Sequence, residues 1–263
     1  MTETRTTSAA PARQVDDFRA LHRGRAPGNP LILPGPWDAV SARAFAEAGF
    51  PALATPSAGV SAALGYADGA APADEMFAAI ARITRAVEIP VSADVEDGYG
   101  LPPGELVERL GEAGAVGCNL EDSASGTLKD PSRHADWLAE VRAAAGTSLF
   151  VNARVDVFEY GTPPGAPEGA AEEVVEHAIE RARLYVAAGA DCVYPIGAPT
   201  DVLPLLRKEI TGPINAYAYL DGPAPRRIGE LGATRITFGP GFQRRTAELL
   251  TTLAGDLRRE WTT

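Results

Sequence analysis

Short apolar runs recur along the chain at residues 30–33, 51–54, 90–93, 116–120, 149–153, 191–194, 213–216 and 234–238, nearly all followed by a stretch with helical spacing. Most are continuous rather than alternating, which is the signature of strands buried on both faces of a parallel sheet. Eight such repeats within 263 residues predict an α/β fold, a (β/α)8 TIM-type barrel. The runner-up, a doubly wound open sheet, lacks the glycine-rich dinucleotide fingerprint after its first strand. Residues 1–28 read as a polar N-terminal tail with a helix around 15–21, and residues 29–263 as a single barrel domain.

Helices are expected over 39–48, 73–87, 104–113, 131–145, 170–188, 201–208, 225–231 and 241–257. Asp38 is placed to cap the first of these and Gly49 to end it. Met76, Ile80, Ile83 and Val87 mark the buried face of the 73–87 helix, which must cross from the second strand to the third. Residues 55–69 read as a small-residue loop that lets a ligand reach backbone N–H groups. The Pro/Gly-rich excursion over 161–169 reads as a lid.

Each of the sharpest chemical signals sits where a strand ends. Residues 90–100, PVSADVEDGYG, pass from an apolar run to Asp94, Glu96 and Asp97. On an extended chain Asp94 and Glu96 face the same side. Two such carboxylates make either a solvated acidic turn or a seat for a hard cation, Mg²⁺ or Mn²⁺. The fourth run ends in Glu121-Asp122, and the fifth in Arg154 with Asp156 two residues on. In a barrel these strand ends converge on one mouth, so Asp94, Glu121 and Arg154 are expected to meet around one divalent ion.

A net charge of −11 argues against a nucleic-acid partner, and no apolar run is long enough to cross a bilayer. The opening MTETRTTSAAPARQ lacks the apolar core of a signal peptide, so a cytoplasmic location is expected. Cys118 and Cys192 lie in strand-like runs and read as buried structural thiols rather than nucleophiles. His22 and His177 read as surface residues, and His134 as a solvated or capping one.

The stretches WDAVSARAFAEAGFPAL, AGVSAALGYADG, VSADVEDGYG, GCNLEDS, VNARVDVF and AGADCVYP, in this order, resemble the isocitrate lyase and phosphoenolpyruvate mutase superfamily. The resemblance spans about residues 31 to 245. It implies a barrel whose last helix is often swapped between subunits, and a homodimer or homotetramer. It also implies Mg²⁺ and an enolate of a 2-oxo acid, with a small anionic carboxylate as substrate. By this likeness Asp94 ligates the metal, Glu96 and Glu121 hold it partly through waters, and Arg154 contacts the substrate oxygens. Asp68 orders the metal's water shell, and the loop carrying Ser57, Ala58 and Gly59 cradles a substrate carboxylate. Trp37, Asn215 and Tyr217 bear on the pocket's size, and Asn215 is a candidate substrate contact.

Departures from the family pattern are equally specific. The loop that carries a lyase Cys and His reads Ser123-Ala-Ser-Gly-Thr-Leu-Lys129, with neither. Pro56 stands where the family has a substrate-binding serine, and Ile196 where lyases place a glutamate. Tyr66, Lys129, His134 or a metal-bound water is left to carry a proton, with none favoured. The reading that follows is a Mg²⁺-dependent lyase that cleaves a C–C bond or decarboxylates a small 2-oxo or 2-hydroxy acid. Phosphonate P–C mutase or hydrolase action is the alternative, and a non-catalytic barrel used for binding or assembly the second alternative.

Overall fold

The computed structural model describes residues 9–161 and 170–262. Eight parallel strands carry the fold: β1 Leu31–Leu33, β2 Leu53–Ala54, β3 Val91–Asp94, β4 Gly117–Leu120, β5 Phe150–Arg154, β6 Cys192–Tyr194, β7 Asn215–Tyr217 and β8 Arg235–Thr237. They form two arcs, β7-β8-β1 and β2 to β6 in sequence order. A single bridge, Val193 to Ile214, joins β6 to β7. At the other seam Ala54 N–H donates to the Pro34 carbonyl just past β1 (3.2 Å). The expected (β/α)8 barrel is the fold, with strands shorter than the apolar runs suggested.

Between and around the strands run α1 Ala9–Leu21, α2 Ala39–Glu47, α3 Ser57–Leu64, α4 Ala73–Thr84, α5 Pro103–Glu112, α6 Pro131–Ala145, α7 Val157–Tyr160, α8 Ala170–Ala187, α9 Leu203–Glu209, α10 Pro225–Glu230 and α11 Gly241–Thr262. Asp38 caps α2 as expected, accepting from the Ser41 N–H (2.7 Å) while Ser41 Oγ accepts from the Asp38 N–H (3.1 Å). Three expectations need correction. The loop expected over 55–69 holds α3, because SAGVSAAL is rich in helix formers and Gly65, at φ +90°, ends it. The helix expected to reach residue 87 stops at Thr84, where tight turn bonds (Val87 N–H to Thr84 C=O, 3.4 Å) replace the α ladder. Residues 123–128, read as a loop, pair as an antiparallel hairpin, Ser123–Ala124 with Thr127–Leu128. Its turn puts Ser125 and Gly126 at φ +49° and +74°, the geometry of a tight two-residue hairpin. Most of the excursion expected to form a lid lies outside the described residues.

Strand parity divides the core. Val91, Ala93, Cys118, Val151 and Val193 pack outward against the helices in the main cluster. The opposite parity faces the barrel axis and is unusually polar: Ser92, Asn119, Asn152, Asn215, Arg235 and Thr237 are all buried. At the lower end Val15 and Phe18 of α1 plug the barrel against Leu31, Leu33, Ala52, Phe150 and Cys192. His22 stacks on Phe150 (centroids 4.2 Å apart), so it is buried rather than on the surface. His134 is also buried, between Trp137 and Tyr185; the Asp130 carboxylate, not His134, caps α6. Burial lowers both imidazoles to about 3. Cys118 and Cys192 are buried free thiols pushed up to about 12 by burial, the inert kind. Among the described residues no helix is long and apolar enough to cross a membrane.

Candidate active site

The carboxyl ends of the strands open into a cavity of about 570 Å³. Its floor is set by register. Asp94 on β3 pairs with Asn119 on β4, and Asn119 with Asn152 on β5. Asn119 Nδ2 donates to Asp94 Oδ2 (3.2 Å), and its Oδ1 accepts from Asn152 Nδ2 (2.7 Å). Asp94 is therefore held by a row of amides on the barrel axis. Two residues beyond Asn152, at the end of β5, stands Arg154.

Glu96 reaches this cavity by a route the sequence did not show. Strand β3 ends at Asp94, and Glu96 sits at φ +52°, a left-handed conformation rare for a side chain of its size. The turn is fixed by Glu96 N–H donating to Asp94 Oδ1 (3.1 Å). Both side chains line the cavity, but through this turn and not through the extended-chain alternation expected.

Arg154 is clamped from both sides. Its Nε donates to Asp156 Oδ1 (2.9 Å) and its Nη1 to Glu121. Asp156 in turn accepts from Ser123 Oγ (2.5 Å) at the root of the hairpin. Asp122, wholly buried, receives the Asp156 N–H (2.8 Å), Arg181 Nη1 (2.8 Å) and the Tyr185 hydroxyl (2.7 Å). Helix α8 is thereby tied to the residues that aim Arg154. Burial works against the Arg154 charge, but Asp156, Glu121 and Asp94 outweigh it and raise its pKa.

The acids are raised as well, which in a carboxylate disfavours the charged form. Burial raises Asp94. Burial, then Asp94, Asp68 and Asp97, push Glu96 up to about 7. Burial also pushes Glu121 up to about 8 against the pull of Arg154. So many desolvated carboxylates around one arginine form a site short of positive charge.

Of the residues picked out in the sequence, Ser57, Ala58, Asp68, Asp94, Glu96, Glu121 and Arg154 line the cavity. The first turn of α3 supplies Ser57 and Ala58, so the expected N–H groups come from a helix N-terminus rather than a loop. Others are not on its wall. Tyr66 donates to Glu75 at the surface (2.6 Å). Lys129 turns to the Glu121 carbonyl (3.2 Å) and Asp97 (3.6 Å). Asn215 is sealed beneath the floor against Thr237 (3.2 Å). Gly59 faces the Pro56 ring and Gln243, and Trp37 donates its N–H to Ser41 Oγ (3.0 Å). His134 is out of reach as well. Sequence reasoning did not single out Tyr194, Glu159, Tyr160 or Arg244, which do line the cavity. Only Tyr194 carried a signal: it ends β6 with the inward parity of Cys192.

A (β/α)8 barrel with a carboxylate-rich mouth and one clamped arginine defines the class of site. The sequence profile of the phosphoenolpyruvate phosphomutase family matches residues 18–258, and the chain belongs to that family, an enzyme of the isocitrate lyase/phosphoenolpyruvate mutase superfamily. A Burkholderia cenocepacia structure described provisionally as a phosphonomutase is 36% identical, with a TM-score of 0.82 over 95% of this chain and 99% of that one. A probable 2-methylisocitrate lyase of Corynebacterium glutamicum is 31% identical over 188 residues, 67% of this chain and 58% of that protein. A phosphonopyruvate hydrolase solved with oxalate and Mg²⁺ shares the fold, with a TM-score of 0.81 at 20% identity over 94% of this chain and 87% of that one.

The residues present fit a hard divalent cation. Glu96 Oε1 is buried with no hydrogen-bond partner, next to Asp94. Among the described residues no three acid, histidine or cysteine side chains converge to enclose an ion. The adjacent carboxylates of Asp94 and Glu96 match the one or two that Mg²⁺ binds beside its waters and a substrate.

Proposed function

We propose that the protein is a Mg²⁺-dependent carbon–carbon lyase that cleaves or decarboxylates a small 2-oxo or 2-hydroxy carboxylic acid through an enolate. One observation carries the reading: desolvated Asp94, Glu96 and Glu121 stand with a clamped Arg154 in a single cavity. Asp94 and Glu96 would hold the cation, with Glu121 and Asp68 reaching it through water. When bound, it supplies Lewis-acid stabilisation of charge on the substrate's carbonyl oxygen.

The chain's own groups do the rest. Arg154 places a fixed guanidinium where oxygen charge develops, and Asp156 and Glu121 keep it aimed. Ser57 and Ala58, in the first turn of α3, line the cavity, where a helix N-terminus can donate N–H groups to a substrate carboxylate. With Tyr66, Lys129 and His134 turned away, Tyr194, which lines the wall near Arg154, is the candidate we favour to carry a proton. The hairpin tip, Ser125-Gly126, also lines the cavity.

Titration calorimetry with oxalate, an enolate mimic, tests the reading. Oxalate binding should require Mg²⁺ or Mn²⁺, and Asp94→Asn should abolish that requirement together with the binding. Failure of wild-type protein to bind oxalate with either metal would sink it. A second reading, mutase or hydrolase action on a P–C bond, is supported by the 36% identity to the protein provisionally described as a phosphonomutase. Turnover of phosphonopyruvate followed by phosphorus NMR separates the two.

A further inference from the structure

We propose that Trp137 is a positioning residue for the cation site, a buttress under the turn that swings Glu96 into the cavity. The proposal rests on the reading of Asp94 and Glu96 as the carboxylates that hold a divalent cation, and adds what keeps one of them aimed.

Residues 96–100 leave β3 in a backbone conformation that a chain does not adopt freely. Glu96, Gly98, Tyr99 and Gly100 lie at φ +52°, +89°, +56° and +69°. The left-handed region is costly for Glu96 and Tyr99, which carry side chains. Bonds within the turn give it its shape: Gly98 N–H donates to the Val95 carbonyl (2.9 Å), and Tyr99 N–H to Asp97 Oδ1 (3.0 Å). They do not fix where the turn sits. One bond to the next strand end, from Glu121 N–H to the Glu96 carbonyl (2.9 Å), holds only its first residue. Nor is the Glu96 carboxylate anchored at its tip, because Oε1 is buried with no hydrogen-bond partner. The backbone therefore aims it.

Trp137, on α6, stands behind that backbone and is not on the cavity wall. A Cβ at Gly98 would come within 3.0 Å of Trp137 Cζ2 and Cη2 and 3.3 Å of Leu106 Cδ2. The turn is thus pressed at its midpoint against both α5 and α6. Trp137 is itself stacked on buried His134 (centroids 5.6 Å apart). The Lys129 ammonium lies over the indole (5.8 Å) and pairs with Asp97 (3.6 Å), a second tie from the same ring to the turn. A strained segment persists only where its surroundings over-determine it. Without the indole the turn is free to relax, and the fraction of molecules with Glu96 aimed at the cation falls.

The test is calorimetric titration of Mg²⁺ into the full chain with saturating oxalate, at a temperature where unfolding curves show every variant folded. Trp137→Leu should weaken Mg²⁺ binding about tenfold, the factor by which the competent turn is depopulated. Trp137→Phe, a gentler truncation that also ends short of Gly98, should shift it in the same direction. Phe18→Leu, at the far end of the barrel, should lower stability and leave Mg²⁺ affinity within about twofold, which separates aiming from general destabilisation. Gly98→Ala, which crowds the indole, should also weaken Mg²⁺ binding. Combined with Trp137→Leu, its loss should fall well short of the product of the two single losses. If neither Trp137 variant weakens Mg²⁺ binding, if Phe18→Leu weakens it equally, or if the two losses simply multiply, the buttress is overturned while the cation site stands. If wild-type protein binds oxalate without Mg²⁺ or not at all, both fall.

Discussion

Asp122 shows how a residue outside the cavity can set one inside it. Its buried carboxylate takes three donors, from Asp156, Arg181 and Tyr185, and so fixes the backbone from which Asp156 reaches Arg154. Tyr185→Phe removes one donor and leaves the others. It should lower stability by about 1 kcal/mol, read from the midpoint of urea unfolding, with the fold retained. Asp156→Asn should loosen Arg154 itself, and Mg²⁺-dependent oxalate affinity should fall several-fold with the far-ultraviolet circular dichroism unchanged.

At this same scale the sequence revealed charge at strand ends and little else. Asp94, Glu121 and Arg154 were legible because each follows a run whose burial and direction are local properties. What Asp122 binds was not legible, since its partners come from α8 and from beyond the end of β5. His22 and His134 misled for that reason: Phe150, Trp137 and Tyr185 bury them, and no local pattern announces it. Lys129 and Tyr66 could be matched to a family loop and motif, yet local carboxylates, Asp97 and Glu75, draw them off the wall.

Among the elements, α1 and the hairpin depart furthest from expectation. Residues 1–28 read as a polar tail with a helix around 15–21; what that reading missed is that Val15 and Phe18, about five-sixths of a helical turn apart, close the lower end of the barrel. Phe18 has no exposed surface and meets Phe150 edge-on (5.1 Å). Phe18→Ala should therefore destabilise by about 3–5 kcal/mol, a loss measurable by thermal or denaturant unfolding. The barrel helices were readable from their 3.6-residue spacing, and their ends less so, because Thr84 and Gly65 stop theirs through turn geometry. The hairpin was hidden by its shortness: two residues per strand give no periodicity to detect, and only the Ser-Gly turn marked it.

For the molecule as a whole, the two buried histidines set an acid limit. Folding holds them near 3, against about 6.5 in the unfolded chain, so the unfolded state binds the additional protons below pH 6.5. Their neutral forms are fully accommodated above that value, and stability is lost as pH falls from there toward 3. The slope should approach roughly 1 kcal/mol per pH unit for each histidine. His22→Gln should flatten the melting temperature between pH 6.5 and 5 (about the window set by these shifts). We also propose that α11 pairs with a second copy of the chain. Leu250, Leu253, Leu257 and Trp261 recur at spacings of three and four, and Trp261 is 86% exposed. Wild-type protein should be an oligomer by light scattering, and Leu250→Glu combined with Leu253→Glu should give a monomer.

The two seams of the barrel bear on how it responds to whatever enters it. The five-strand arc brings Asp94, Glu121 and Arg154, while the three-strand arc brings Tyr217, Thr237 and the start of α11. Along their backbone edges, among the described residues, one bridge and the Ala54–Pro34 hydrogen bond are the thin stitching between them. A guest that grips both halves becomes a rivet across those gaps. Its arrival should register far from the rim, as slower amide exchange at Ala54 and Val193, where breathing of the two shells against each other would otherwise let solvent in.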